Sequence, residues 1–244
     1  VRTPDPFWTG LSPSMRGNII HNALHNLMAD HPAQADIASW SAEERLRRIG
    51  SAIDAALERH SRHADSVLQR IIGLERNRLQ HLLSVFLDSE LERPAFTVAD
   101  VEKSLDYQRE GILLGFQIDR VDRLPDGRVL VADYKTGAPR SFLSQSGELK
   151  DMQLVAYADA LNTDVAGILF INVDPREIAL RGAGNGWRNR EDPDWDALFA
   201  SWQAQLHEVV AGLAAGDARI DTWQTTAEGR MLNILSRLAE QKRA

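Results

Sequence analysis

Apolar residues along the chain first recur at helical spacing. In residues 14–30, Ile20, Ala23, Leu24 and Leu27 fall on one helix face, and Pro32 ends the run. Ser41 followed by Glu44 gives a capping-box signature ahead of a long helical stretch, which runs to about Glu92 with a break near residue 64. Its second half, Val67 to Leu91, is strongly periodic through Leu68, Ile71, Ile72, Glu75, Leu79, Leu82, Leu83 and Phe86, so it predicts a helix packed on a core. The period then drops to two. Residues 96–107 and 112–122 read as extended, Asp126-Gly127 is a turn pair, and 128–135 alternate as a strand. Together they predict an antiparallel hairpin or meander with one buried face.

Residues 149–162 return to helical period, and the short, nearly continuous apolar run 166–173 (AGILFINV) reads as an interior strand. A polar, Gly-rich loop is expected over 174–194, then helices over 195–215 and 227–242. The order is helices, three strands, helix, strand, helices. It predicts an α/β or α+β domain with a mixed sheet covered by helices. Without repeats or a Gly/Pro-rich linker, residues 1–244 are expected to form one domain.

Composition narrows the chemistry. The 244 residues include no cysteine, which excludes disulfides, thiolate zinc or iron–sulphur sites and a cysteine nucleophile. With 28 Lys+Arg against 35 Asp+Glu the formal charge is −7, which argues against a general nucleic-acid coat. It leaves room for an enzyme that grips nucleic acid locally through metal ions. There is no signal-peptide pattern and no run of 18 apolar residues, so a cytoplasmic protein without a membrane partner is expected. The opening VRTPDPFWTGLSPS reads as an extended lead-in, and a start at Val1 suggests a piece of a longer protein.

The stretch 115–137 (GFQIDRVDRLPDGRVLVADYKTG) holds the most informative residues. Asp133 and Lys135 are two apart on a strand and so share a face, where Val129 and Val131 precede them. The turn at Asp126 lies seven residues from both Asp119 and Asp133, so a hairpin folded there sets the two carboxylates roughly opposite each other. Such a pair repels unless a hard divalent cation, Mg²⁺ or Mn²⁺, sits between. A nearby lysine then orients water or stabilises phosphoryl charge, which is the chemistry of phosphodiester hydrolysis. On spacing alone a surface D-x-K pattern, with Asp119, Arg120 and Asp122 in an ordinary ion-pair network, remains an open alternative.

Three blocks in order make the chain resemble the PD-(D/E)xK nuclease superfamily. They are Gly17-x-x-x-His21; Gly115-x-x-Ile118-Asp119-Arg120-x-Asp122 followed by Asp133-Tyr134-Lys135-Thr136-Gly137; and Gln153-x-x-x-Tyr157. Within that superfamily the chain resembles the RecB-like nuclease domain at the C-terminus of AddB-type helicase–nuclease repair proteins. The resemblance implies a restriction-endonuclease-like α/β core, with residues about 40–92 as a helical insertion. It implies a metal held by His21, Asp119, Asp133 and the Tyr134 backbone carbonyl, with Lys135 as the catalytic lysine. Gln153 and Tyr157 would lie beside the site and touch catalytic groups or DNA. Glu102 would be an outer ligand or a buried partner of Arg120, and His25 helix packing or support for a ligand. The implied activity is a metal-dependent deoxyribonuclease acting on single-stranded ends in repair or recombination, beside a helicase domain or subunit. The alternative is a non-catalytic scaffold that binds DNA ends or a helicase.

Many relatives of this kind carry four cysteines that hold an iron–sulphur cluster. This chain has none, so its terminal arms are expected to be held by packing through Trp195, Trp202, Trp223 and Leu232. Two arginine clusters are candidate DNA contacts. One runs from Arg45 to Arg78 in the insertion, and one comprises Arg181, Arg188 and Arg190 around Trp187.

Overall fold

The computed structural model describes residues 11–62, 65–137, 149, 151–174 and 176–216. Helix α1 (Pro13–Met28) starts where the Ser12 hydroxyl accepts from the Met15 N–H, with proline in the first turn. It buries Ile19, Ile20, Ala23, Leu24, Leu27 and Met28. A short α2 (Gln34–Ser39) follows, which periodicity did not announce because six residues carry too little pattern. Helix α3 (Ala42–Ser61) is capped by Ser41, which accepts from the Glu44 N–H at 3.1 Å. The Glu44 carboxylate is taken by Arg47 and Arg48, so its half of the expected capping box goes to arginines. Helix α4 (Ser66–Leu91) is capped by Asp65.

Five strands follow: β1 (Thr97–Arg109), β2 (Ile112–Arg123), β3 (Val129–Thr136), β4 (Val165–Asp174) and β5 (Glu177–Gly184). They form one sheet in sequence order. The β1–β2, β2–β3 and β4–β5 pairs are antiparallel, and β3–β4 is parallel, joined through α5 (Gln153–Leu161). Helix α6 (Trp195–Ala214) comes after β5.

Strand β5 lies inside the segment expected to be a polar loop. Its glycines suggested a loop, yet they serve close packing. A Cβ on Gly184 (φ +77°) would stand 2.5 Å from both the Ala166 carbonyl and the Trp195 ring, and one on Gly182 would strike the Trp187 ring at 2.8 Å. Helix α5 also starts at Gln153 and not at 149. The expected helix 227–242, with Trp223 and Leu232, lies outside the described residues. Trp195 and Trp202 are buried and meet edge to face.

Alternation along the strands feeds two cores. Leu130, Ala132, Tyr134, Leu169 and Ile171 face α1, α3 and α4. Val129, Val131, Ile168 and Phe170 face α5 and α6. The result is a mixed five-stranded sheet flanked by helices, the restriction-endonuclease-like α/β arrangement.

A buried ionic cluster fastens α4 to β2. Arg120 pairs with Asp122 and Glu90, each at 2.6 Å, and Arg93 pairs with Glu90 at 2.9 Å and Asp122 at 2.7 Å. Both guanidinium groups lie over the Phe96 ring. Two cations and two anions balance, as burial of charge requires. Arg120 and Asp122 therefore do form an ion-pair network, but without Asp119. In α3 and α4 most arginines are already paired, Arg45 with Asp88, Arg48 with Asp30 and Glu44, Arg62 with Glu58, and Arg76 with Asp54. Among the described residues no helix is long and apolar enough to cross a membrane.

Candidate metal centre and active site

The site assembles where α1 crosses the sheet beside the ends of β2 and β3. Gly17 permits the approach, because a Cβ there would already press the Thr136 Oγ1 at 3.2 Å. One turn on, the His21 Nδ1 lies 3.5 Å from the Asp119 Oδ2. That same oxygen accepts the Tyr134 backbone N–H at 2.7 Å. The Tyr134 ring meets the His21 ring edge-on at 6.1 Å and reaches Phe86 on its other side at 5.9 Å. Its hydroxyl accepts from Arg120 at 3.4 Å. Tyr134 thus links the buried ionic cluster to His21 and Asp119.

Glu102 stands across from Asp119, since the flanking pairs are Val101 with Arg120 and Lys103 with Ile118. Its φ of 49° puts it in the left-handed region, which strands reserve for special positions. One ligand atom each from His21, Glu102 and Asp119 falls within 4.8 Å of the others. Glu102 accepts a hydrogen bond from Gln117 and has no part in the Arg120 cluster. Of the two places open to it, the structure sets it beside the candidate ligands.

Asp133, Lys135, Gln153 and Tyr157 form the second half. Asp133 is 3% exposed. Its Oδ1 accepts from the Gln153 Nε2 at 2.8 Å, and Lys135 Nζ lies 2.6 Å from Oδ2. The Gln153 Oε1 accepts from Lys135 at 2.8 Å, and the Gln153 Nε2 donates to the Tyr157 hydroxyl at 2.8 Å. Four-residue spacing on α5 puts Gln153 and Tyr157 one above the other. Lys135 also sits over the Phe170 ring. Helix α5 is anchored at its far end by Asp159, which accepts from Tyr107, Gln203 and His207 at 2.8–2.9 Å. Asp151, which accepts the Gln153 N–H at 2.9 Å, had no sequence signal beyond its position just before a helix. Gln117 was hidden likewise, as a polar residue on an exposed strand face. His25 lies on the same helix as His21, partly buried, with an Nδ1 that finds no hydrogen-bond partner.

The donor set suits a hard divalent cation. Burial pushes the Asp133 carboxyl up to about 7 and the Asp119 carboxyl up to about 6, with the Asp119 and Glu102 charges adding to the respective shifts. The buried Asp133 Oδ2 meets the Lys135 ammonium at 2.6 Å and has no further hydrogen-bond partner among the described residues. A cation would relieve all three conditions. Burial also lowers the His21 pKa, which keeps a neutral imidazole lone pair for ligation. The neighbouring Asp133 and Glu102 charges oppose that shift in part.

A sequence profile of the PD-(D/E)XK nuclease superfamily matches residues 4–227, and the chain belongs to that superfamily. Two solved structures are similar to it. "Crystal structure of SSO0001" shares 16% identity, with 79% of this chain and 84% of that one covered at a TM-score of 0.27. The protein named "Putative exonuclease" from Eubacterium rectale shares 8% identity, with 93% and 91% covered at a TM-score of 0.38. The family assignment rests on the sequence profile alone. A search of curated proteins finds no match.

Proposed function

We propose that the chain is a divalent-metal-dependent deoxyribonuclease that hydrolyses single-stranded DNA ends in repair or recombination. Its resemblance to the AddB-type nuclease domain supports a helicase domain or subunit as its neighbour. The observation that carries the reading is the single hydrogen-bonded unit of Asp133, Lys135, Gln153 and Tyr157 beside His21, Asp119 and Glu102. Such geometry is costly without a ligand. It gathers buried carboxyls of raised pKa and a non-glycine residue at positive φ.

In this reading His21, Asp119, Asp133 and the Tyr134 carbonyl hold Mg²⁺ or Mn²⁺, with Glu102 adjoining. Such an ion, when bound, would lower the pKa of a water and offset charge on the phosphoryl oxygens. The chain's own residues do the rest. Gln153 clamps Lys135 and Asp133 together and fixes the ammonium at the edge of the carboxylates. From there Lys135 orients the attacking water and donates to the phosphoryl oxygen as charge builds. Tyr157 holds the Gln153 amide in the orientation that both contacts need.

The test is cleavage of an end-labelled single-stranded oligonucleotide with Mg²⁺ or Mn²⁺. Wild type cleaves it, while Asp133→Ala and Lys135→Ala do not. Robust cleavage by either variant overturns the roles. Tight DNA binding without cleavage in either metal would favour the non-catalytic scaffold.

A further inference from the structure

Residues of one face of the β1–β2 hairpin continue outward from the metal centre. Register pairs Ser104 with Gln117 and Asp106 with Gly115, and strand alternation puts all four on the face that carries Asp119 and Glu102. Two cavities lie in line along that face. The inner one, about 550 Å³, includes His21, Glu102 and Asp119 in its lining. The outer one, about 380 Å³, is lined by Ser104, Asp106 and Gly115 among others. Gln117 lines both, so they form one trough.

Gly115 is what keeps the outer half open. Its φ is not positive, so the backbone does not require glycine. A Cβ there would meet nothing within 4 Å, so close packing does not require it either. A glycine inside a strand weakens it and often marks a place where a ligand comes close. The opposite face explains why the hairpin stays firm despite this. There Phe116 stacks on Tyr107 at 5.6 Å and leans on Tyr157 at 5.3 Å.

We infer that this trough carries the unpaired nucleic-acid strand away from the scissile phosphate, with Gly115 as the residue that admits it. The inference rests on the nuclease reading above and deepens it. Asp106 would repel a phosphate, whereas Ser104, Asp106 and Gln117 together offer donors and acceptors to base edges. Bases therefore turn toward the trough and phosphates toward solvent, which a paired strand cannot do. Gly115 and Asp119 lie four residue steps apart along β2, about 13 Å at ~3.3 Å per step. That length holds no more than about four stacked nucleotides at ~3.4 Å each.

The test is the dependence of KM on substrate length with Gly115→Leu, which fills the trough without straining the backbone. For wild type, KM falls as the single strand grows from two to about six nucleotides and then levels, since the trough takes about four beyond the two that flank the scissile phosphate. In Gly115→Leu the gain with length disappears and KM for the six-nucleotide strand rises about tenfold or more, while Mn²⁺ affinity and Tm stay as in wild type. Ser104→Trp fills the same space from the neighbouring strand and is expected to repeat the effect. If both folded variants keep the wild-type length dependence, the trough assignment is overturned. If wild type cleaves no nucleic acid with either metal, the nuclease reading falls and takes the trough with it.

Discussion

At the residue scale Gln153 decides how Lys135 and Asp133 work together. Its amide bonds both at 2.8 Å, and together with the direct 2.6 Å pairing to Asp133 it fixes the ammonium. Lys135→Ala is expected to lower kcat roughly 10²–10⁴-fold, the range of a positioned proton-transfer or charge-stabilising group. Mn²⁺ affinity, read by calorimetric titration, should change little, because the ligands remain. A matched loss of metal binding would make Lys135 a structural partner of Asp133 and nothing more. The carboxyls also set a pH dependence. Burial raises Asp133 to about 7 and Asp119 to about 6, from 3.8. The folded protein thus binds these protons more tightly than the unfolded chain. The stability this gives is fully present below about pH 4 and is lost as pH climbs through about 6 to 7. In chelator, the Tm of wild type should therefore fall relative to Asp133→Asn across that window, and Mg²⁺ should restore it at the upper end. A constant difference between the two proteins would contradict the cause given for the shift.

At the element scale, α4 and β2 are joined by charges that have no solvent to fall back on. Arg120 is fully buried and satisfies both Glu90 and Asp122. Arg120→Met would leave two buried carboxylates with Arg93 alone, at a cost of about 3–5 kcal/mol in urea denaturation. A change below ~1 kcal/mol would show that the cluster relaxes to water. The sequence patterns of α1, α3, α4 and the first three strands were legible, since each carries a clear period or a cap. Strand β5 was not, because Gly182 and Gly184 answer to Trp187 and Trp195 across space and not to their own segment. The facing of Asp119 and Asp133 was legible from a turn count, and β2–β3 pairing continues that register through Arg120 and Ala132. The resemblance left Glu102 two places, and a positive φ at a glutamate has no signature in composition or period that would choose between them.

At the scale of the whole molecule the charge of −7 is not offset by a basic face on the helical insertion. Many arginines of α3 and α4 are spent on their own carboxylates, so the helical insertion is not a free basic surface. The joint change Arg45→Gln and Arg76→Gln should alter oligonucleotide affinity less than about twofold at moderate salt, since neither arginine has an unpaired charge to offer phosphate. A tenfold loss would assign the insertion a direct role in gripping DNA. Trp187, which the sequence sets among the candidate DNA-contacting arginines, is half-buried, donates to the Gly184 carbonyl at 3.0 Å and carries Arg188 over its ring at 4.3 Å. The complete set of candidate ligands comes from three separate parts of the chain, α1, β1 and the β2–β3 pair, which only the folded sheet brings together.

The central claim is that these parts make a divalent-metal centre. Crystals soaked in Mn²⁺ and measured for anomalous scattering test it most directly. One peak at about 2.0–2.3 Å from His21, Asp119 and Asp133 is the expected result, a distance set by hard-ion coordination to oxygen and nitrogen. Crystals that hold no manganese among these side chains, from a protein that still cleaves DNA, would contradict it.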